Sequence, residues 1–325
     1  MLGLARIAEK GMVSAAIITA ALAFLGVISF DVSLMFGLTL TPISITFSCA
    51  LIAFVVLRHQ EQAAVSVMLI AGAIMLAVAL LTGAMVWQVL VFIFLCWVGS
   101  AIIASVLSRT SLLNLALLTA VPITMFFAVI VWTQRKALVV FWRDAFVHSI
   151  GEISEADKAQ LGAENVEKMF VTMPAMLAEA AANWPIIVII AGLLIARYWQ
   201  ACLFNAGGFQ REFHALKLGK QAAIVCAVLV AMSSVIPAML VSDENGIEAA
   251  AINVGFPAKM LLILASAMLF VFLLQGLSVL HSLAKQRGMN KGWLIGIYIL
   301  MPLPPTMLLV GALGIADNFI RIRKV

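Results

Sequence analysis

Runs of about twenty apolar residues follow one another along almost the whole chain, at 11 to 30, 33 to 57, 63 to 82, 85 to 106, 112 to 132, 184 to 204, 221 to 241, 258 to 280 and 293 to 316. A helix needs roughly 20 such residues to cross about 30 Å of hydrocarbon. The runs are too long and too uniformly apolar for the alternating strands of a membrane barrel. Hydrophobic residues make up 64% of the 325 positions and charged residues 11%, against about 45–50% and 25% in soluble domains. A surplus of that size cannot be buried in one soluble core, so lipid is the solvent for most of the chain. Disordered, collagen-like, disulfide-rich and nucleic-acid-binding classes are excluded, because each needs polar, repetitive, Cys-dense or strongly basic composition. The expected fold class is all-α: a polytopic helical membrane protein of eight spans plus a proline-broken C-terminal membrane segment, forming one integral membrane domain over 1 to 325.

The net charge of +5 is a topology signal. Arg6 and Lys10, Arg58 with His59, Arg109, the group Arg211, Lys217 and Lys220, and the group Lys285, Arg287 and Lys291 fall on one side of successive spans. Short loops rich in Lys and Arg stay in the cytoplasm. The opposite loops agree: 242 to 257 carries Asp243, Glu244 and Glu248 and no Lys or Arg, and 133 to 183 has seven acids against five bases. The expected location is the bacterial inner membrane with the N-terminus inside. Ala21-Leu22-Ala23 fits a signal-peptide cleavage site, but the run continues to Phe30, so it reads as an uncleaved first span.

The last run contains Pro302, Pro304 and Pro305 and precedes Arg321, Arg323 and Lys324. Either it is a broken helix that leaves a basic tail outside, or its halves form a re-entrant hairpin that returns the tail inward. Irregular backbone at membrane depth needs cover from protein or a water-filled cavity.

Between the fifth and sixth spans, 133 to 183 is the one sizeable polar segment and reads as a helical extracytoplasmic cap. Leu138, Trp142, Phe146 and Ile150 recur every four residues among Arg135, Lys136, Arg143 and Asp144, which suits a helix lying in the interface. Ser154 and Asp157 resemble a capping box for a second helix carrying Leu161, Val166 and Phe170. Thr172 before Pro174, and Asn183 before Pro185, each read as a cap ahead of a helix start.

Ionisable and amide groups in lipid are costly and are the first functional candidates. Arg197 lies 13 residues into the run beginning at Trp184; it either snorkels to the cytoplasmic headgroups or faces inward toward an anionic ligand or a carboxylate. Gln200 shares part of its face. Gln88, Asn114, Asn253, Gln275 and His281 lie within or at the ends of spans and read as interhelical hydrogen-bonding groups. Trp132, Trp184, Trp199 and Trp293 fall at interfaces, where belt tryptophans belong. Ala16-x-x-x-Ala20 is a small-residue pattern that permits close helix approach. The four cysteines, Cys49, Cys96, Cys202 and Cys226, read as small buried residues.

No enzymatic constellation is present in the sequence. Gly219-Lys220 is followed by Gln221, and His214 stands where a Walker loop needs its first glycine; HExxH, GxSxG and paired intramembrane aspartates are missing, and His59, His148, His214 and His281 are scattered. A self-contained ATPase, zinc protease or serine hydrolase is excluded, with no cofactor and no metal expected.

Two stretches carry more than composition. One is Ala196-Arg197-Tyr198-Trp199-Gln200 followed by Gly207-Gly208-Phe209-Gln210-Arg211-Glu212-Phe213 and Leu216; the other is Gln275-Gly276-Leu277-Ser278-Val279, then His281, Leu313-Gly314, Asp317 and a basic cluster. In these motifs the chain resembles the bacterial membrane family DUF2232, or YybS-like, with the specific matches confined to the region after Ala196. The resemblance implies family positions at Phe209, Phe213, Gly276, Gly314, Asp317 and Arg323. Asp317 and Arg323 match the family's terminal motif, while Arg321 stands where it has a second acid, a departure that puts any ion pairing the resemblance implies there in question. The family is distantly similar to the substrate-binding subunits of energy-coupling-factor vitamin transporters, which have six spans, bind a small metabolite and borrow an ATPase from a partner module.

The resemblance therefore implies a protein that binds or translocates a small solute, with Arg197, Gln200, Gln275 and His281 as candidate ligand-binding residues. A structure with no polar cavity near Arg197 or near Pro302 to Pro305 would overturn that reading. The alternative is a membrane scaffold whose basic loops, Phe209 to Lys220 and Lys285 to Lys291, dock a soluble protein. The partners expected are the lipid bilayer, a small solute and another membrane or cytoplasmic protein, and not a nucleic acid.

Overall fold

The computed structural model describes residues 2–32, 34–82, 87–151, 163–240, 255–320 and 322–323, and every regular element among them is a helix. Six of these helices are long and apolar enough to cross a membrane, or seven if a sharply bent C-terminal pair counts as one span. Ser154, Asp157 and Asn253, and the side chains of Gln88, Ile150, Val166 and Phe170, lie outside what is described. The chain divides into two compact units, Met1–Arg109 with Phe126–Phe204, and Thr110–Met125 with Asn205–Val325.

The first unit contains α1 (Leu2–Glu9), α2 (Met12–Val32), α3 (Leu34–Thr82), α4 (Trp87–Thr110), the end of α5 (Leu113–Thr133), α6 (Arg135–Gly151), α7 (Ala163–Ala180) and α8 (Trp184–Phe204). The small-residue face of α2 packs on α3 of the same chain. Ala16 and Ala20 are buried, a Cβ added at Gly26 would lie 2.5 Å from Ser44 Oγ, and the Ser29 and Thr41 hydroxyls are 2.9 Å apart. Close approach is thus satisfied internally, as small residues permit between membrane helices.

The 49 residues of α3 are interrupted at Gln60 (φ 72, ψ 175). There the ladder breaks, and a β-carbon-bearing residue occupies a backbone region that suits glycine. Helix α8 lies against the first part of α3, where a Cβ on Gly192 would come 3.0 Å from Cys49 Cβ and 3.1 Å from the Ala50 nitrogen. The face Ile189, Gly192, Ala196 and Trp199 is consequently turned inward. Trp199 is fully buried, its ring 6.3 Å from both Phe47 and Phe54, so it is a packing residue and not the belt residue expected. Its place along the span suggested an interface; its place around the helix decided otherwise. Cys49, Cys96 and Cys226 are buried as expected, whereas Cys202 is exposed.

On α6, Trp142 and Phe146 are buried against Ala178 of α7, with Leu138 and Leu177 beside them, as the four-residue spacing predicts. The cap expected at Thr172 is not a helix start, because α7 runs through Pro174. Proline costs that helix a hydrogen bond, but continuing it brings Leu177 and Ala178 onto the aromatic cluster. Asn183 does precede a helix start, at Trp184 with Pro185 in the first turn.

The second unit contains the start of α5, then α9 (Gly208–His214), α10 (Lys220–Leu240), α11 (Phe256–Gln286), α12 (Lys291–Leu300) and α13 (Pro304–Ala316). Asn290 caps α12 by accepting from the Gly292 N–H at 3.1 Å. The chain then bends by 118° between α12 and α13, with Pro304 and Pro305 opening the second helix. At 10 and 13 residues each half spans roughly 15–20 Å at about 1.5 Å per residue, about half a bilayer. Helix α13 crosses α11 at glycines: a Cβ on Gly276 would run into the Val310 carbonyl, and one on Gly314 into the Phe272 carbonyl.

Candidate functional site

The glycine crossing of α11 and α13 gathers most of the residues singled out in the sequence. Gln275, one residue before Gly276, accepts from the Leu218 N–H at 3.0 Å through Oε1 and donates from Nε2 to Asp317 Oδ2 at 3.0 Å. The same Asp317 oxygen receives Arg323 Nη2 at 2.9 Å. Arg323 also donates to the carbonyls of His214 and Leu216 and, at 2.8 Å, to Ser278 Oγ. Ser278 donates in turn to the Phe213 carbonyl. Both side chains of the ion pair are 2% exposed.

The local sequence explains why these groups converge. The segment after α9 leaves the His214 and Leu216 carbonyls without helical partners, and a guanidinium presents a fork of donors that matches them. Buried charge is tolerated only when paired and hydrogen-bonded, and Asp317 with three further acceptors meets that condition. The ion pair between Asp317 and Arg323, which Arg321 had put in question, therefore forms.

Beside this network lies an aromatic cluster. Phe209 stacks on Phe213 at 5.9 Å, His281 meets Phe213 edge-on at 5.9 Å, and the rings of His214 and His281 are 6.2 Å apart. His281 Nε2 is 2.9 Å from the Tyr298 hydroxyl of α12. The His214 imidazole is held below its ordinary pKa, first by burial and then by the neighbouring His281, Lys285 and Arg323. Asn114 donates to the Lys217 carbonyl at 3.2 Å.

Arg197 and Gln200 belong to the first unit. Arg197 Nη1 donates to Gln200 Oε1 at 2.5 Å, and Gln200 Nε2 donates to the Leu57 carbonyl at 3.1 Å. Leu57 stands one turn before the break at Gln60, where helical carbonyls lose their partners. Arg58 lies over the Phe204 ring at 4.3 Å. Arg197 thus positions the amide that caps the first half of α3.

Sequence reasoning missed two features. Asn318 is buried and ties three segments together: its Oδ1 accepts from the Gly219 N–H at 2.9 Å, and its Nδ2 donates to the Gly314 carbonyl at 3.0 Å and to Gln275 Oε1 at 3.3 Å. A lone amide beside Asp317 in an apolar tail was its only sequence signal. The other is a cavity of about 440 Å³ in the first unit, walled by Ile45, Phe92, Leu95, Phe127, Leu138 and Trp142, among others. Its residues come from five separate helices, and no local pattern marks them. The cavity includes neither Arg197 nor the Pro302 to Pro305 segment, whose prolines are exposed.

Among the described residues no three His, Cys, Asp or Glu side chains come together as a metal would require. The fold defines a helical membrane protein, and its described residues include a buried polar latch and apolar cavities, one of about 440 Å³ and another of about 350 Å³ lined by Met68, Leu76 and Phe94 among others. No family model, curated protein or solved structure matches the chain.

Proposed function

We propose that this is a solute-binding membrane protein, akin to the transporter subunits that the motif resemblance implies, but that its solute occupies the aromatic cavity of the first unit in place of the polar cavity near Arg197 or Pro302 to Pro305 on which the sequence reading depended. The carrying observation is that cavity. Its volume lies within the roughly 300–1,000 Å³ of small-molecule sites, and such sites are mainly hydrophobic with few polar groups. The solute is therefore apolar or amphipathic. Extraction of the protein purified in mild detergent, followed by mass spectrometry, tests this: a stoichiometric small molecule, lost when Ala181→Trp fills the cavity, is the expected result. A correctly folded protein that neither retains nor binds any small molecule would overturn it.

In this reading the chain crosses the inner membrane eight times from an internal N-terminus. Two crossings share α3, whose 45-residue stretch from Gly37 to Leu81 amounts to about 68 Å of helix at about 1.5 Å per residue, more than twice the hydrocarbon thickness, with the polar break at Gln60 as the internal loop. The segment Lys220–Val235 is a shorter apolar helix and supplies another. The α12–α13 hairpin re-enters without crossing, because Arg323 bonds to the loop carbonyls of His214 and Leu216 and the basic loops are cytoplasmic.

A second reading keeps the scaffold role. Arg211, Lys217, Lys220, Lys285 and Arg287 are all exposed in the second unit, a basic surface suited to an acidic soluble partner. Charge reversal at Lys217 and Lys285 abolishes co-purification of such a partner under this reading, and leaves solute binding intact.

A further inference from the structure

We infer that His214, His281, Lys285 and Tyr298 of the second unit form a binding site for a phosphomonoester group, carried by a lipid headgroup or by a soluble phosphate. The inference is independent of what fills the apolar cavities. Three elements bring donors to one place. His214 ends α9, His281 and Lys285 stand four residues apart on α11 and so share a face, and Tyr298 belongs to α12. The two imidazole rings are 6.2 Å apart, and His281 Nε2 is 2.9 Å from the Tyr298 hydroxyl. When that nitrogen is the donor, the phenol O–H is left to donate outward. Among the described residues neither ring nitrogen of His214 has a hydrogen-bonding partner, and Lys285 has no carboxylate.

Such a gathering of cationic groups is unfavourable without a counter-ion. Burial, and then His281, Lys285 and Arg323, disfavour the charged form of His214. The neighbouring acids do not offset this: Asp317 is taken up by Gln275 and Arg323, and Glu212 on α9 has a partner of its own. The carboxyl ends of α9 and α11 carry about half a negative charge each, less than the full charges of Arg211 and Lys285 in their last turns. His214 and His281 are half-buried, whereas Lys285 and Tyr298 are exposed, so the cluster is open to a ligand without rearrangement. A phosphomonoester brings about −1.5 to −2 charge and three acceptor oxygens. These match the three groups that lack an acceptor: the His214 ring, the Lys285 ammonium and the Tyr298 hydroxyl. A metal ion at the two imidazoles would instead meet the charge of Lys285.

The test uses the full-length protein in phosphatidylcholine nanodiscs, read by native mass spectrometry. The probes are phosphatidic acid and phosphatidylglycerol in the bilayer, and glycerol 3-phosphate in solution. Saturable binding of one phosphomonoester per chain is expected, with phosphatidylglycerol, a diester of single charge, at least fivefold weaker than phosphatidic acid. Binding of phosphatidic acid alone assigns the group to a lipid headgroup, and binding of glycerol 3-phosphate assigns it to a soluble phosphate. Lys285→Gln should weaken the bound probe about fivefold, the scale of one exposed ion pair, and His214→Gln about tenfold, the scale of a hydrogen bond to a charged group. Lys217→Gln changes an exposed lysine outside the cluster and should have no effect. Thermal melting identifies a variant that fails to fold, and Tyr298→Phe, which removes one hydroxyl, is the milder probe of the same site, with a loss of about threefold. Absence of saturable binding by both phosphomonoesters, or equal losses in Lys217→Gln and Lys285→Gln, overturns the site. Equal affinity for phosphatidylglycerol and phosphatidic acid overturns the phosphomonoester class.

Discussion

Arg323 and Asp317 form an ion pair of 2.9 Å, six residues apart, with both side chains almost wholly out of solvent. The pair closes the α12–α13 hairpin onto α11 and onto the loop after α9, because the same guanidinium reaches Ser278 and the His214 and Leu216 carbonyls. Removing one partner strands a buried charge, which costs about 3–5 kcal/mol. Arg323→Ala and Asp317→Ala should each lower thermal stability in detergent by that order. The double variant should lose less than the sum of the two, and a purely additive cycle would show that the groups do not interact.

The glycine crossing makes a graded prediction. Gly276→Ala and Gly314→Ala would drive a methyl group into backbone carbonyls that cannot move aside, whereas Gly311→Ala meets the Leu269 side chain and Gly296→Ala meets nothing within 4 Å. Overpacking costs about 1–3 kcal/mol, so the first two should destabilise by at least that much and Gly311→Ala by less. Gly296→Ala is the neutral control. Equal melting temperatures for all four would refute the crossing.

At the break in α3, Gln60 has φ 72 and ψ 175. Such a conformation costs a non-glycine residue about 1–3 kcal/mol. Gln60→Gly should raise stability by roughly 1 kcal/mol, less the extra freedom that glycine gives the unfolded chain. A fall in melting temperature would mean that the side chain makes a contact worth more than the strain.

Arg197 and Gln200 separate by role. Gln200→Ala leaves the Leu57 carbonyl without its amide donor and should cost about 1 kcal/mol. Arg197→Ala removes the group that positions Gln200 and should cost less. Neither should change ligand-dependent thermal stabilisation, since the cavity lies elsewhere. Loss of that stabilisation in Arg197→Ala would restore Arg197 as a ligand-binding residue.

The second unit should weaken in acid. His214 has a folded pKa below its unfolded value of about 6.5, through burial and through His281, Lys285 and Arg323 nearby. The unfolded chain then binds more protons over that interval, so stability rises with pH. It is fully present above about pH 6.5 and is lost as the pH falls through the folded value. His214→Gln should flatten the pH dependence of melting in that window, and an unchanged profile would assign the effect to another group.

The runs of apolar residues by themselves determined that the chain lives in lipid and folds as helices, because partition into hydrocarbon depends on length and composition, which are properties of a segment in isolation. Gln275 was also legible, as an amide in an apolar run, whereas Asp317, Arg323 and Gly276 were singled out through the motifs near the C-terminus. Facing was not legible. In helices apolar all round, the sequence carries no amphipathic stripe to say which side turns inward. Trp199 therefore read as a belt residue and is buried, and the Ala16-x-x-x-Ala20 pattern did not say which helix would approach it. Tertiary structure alone decided that Arg323 reaches a carbonyl 109 residues away, that Asn318 joins three segments, and that five helices leave a cavity among them. These features depend on distances between segments remote in sequence, which only the packed chain fixes.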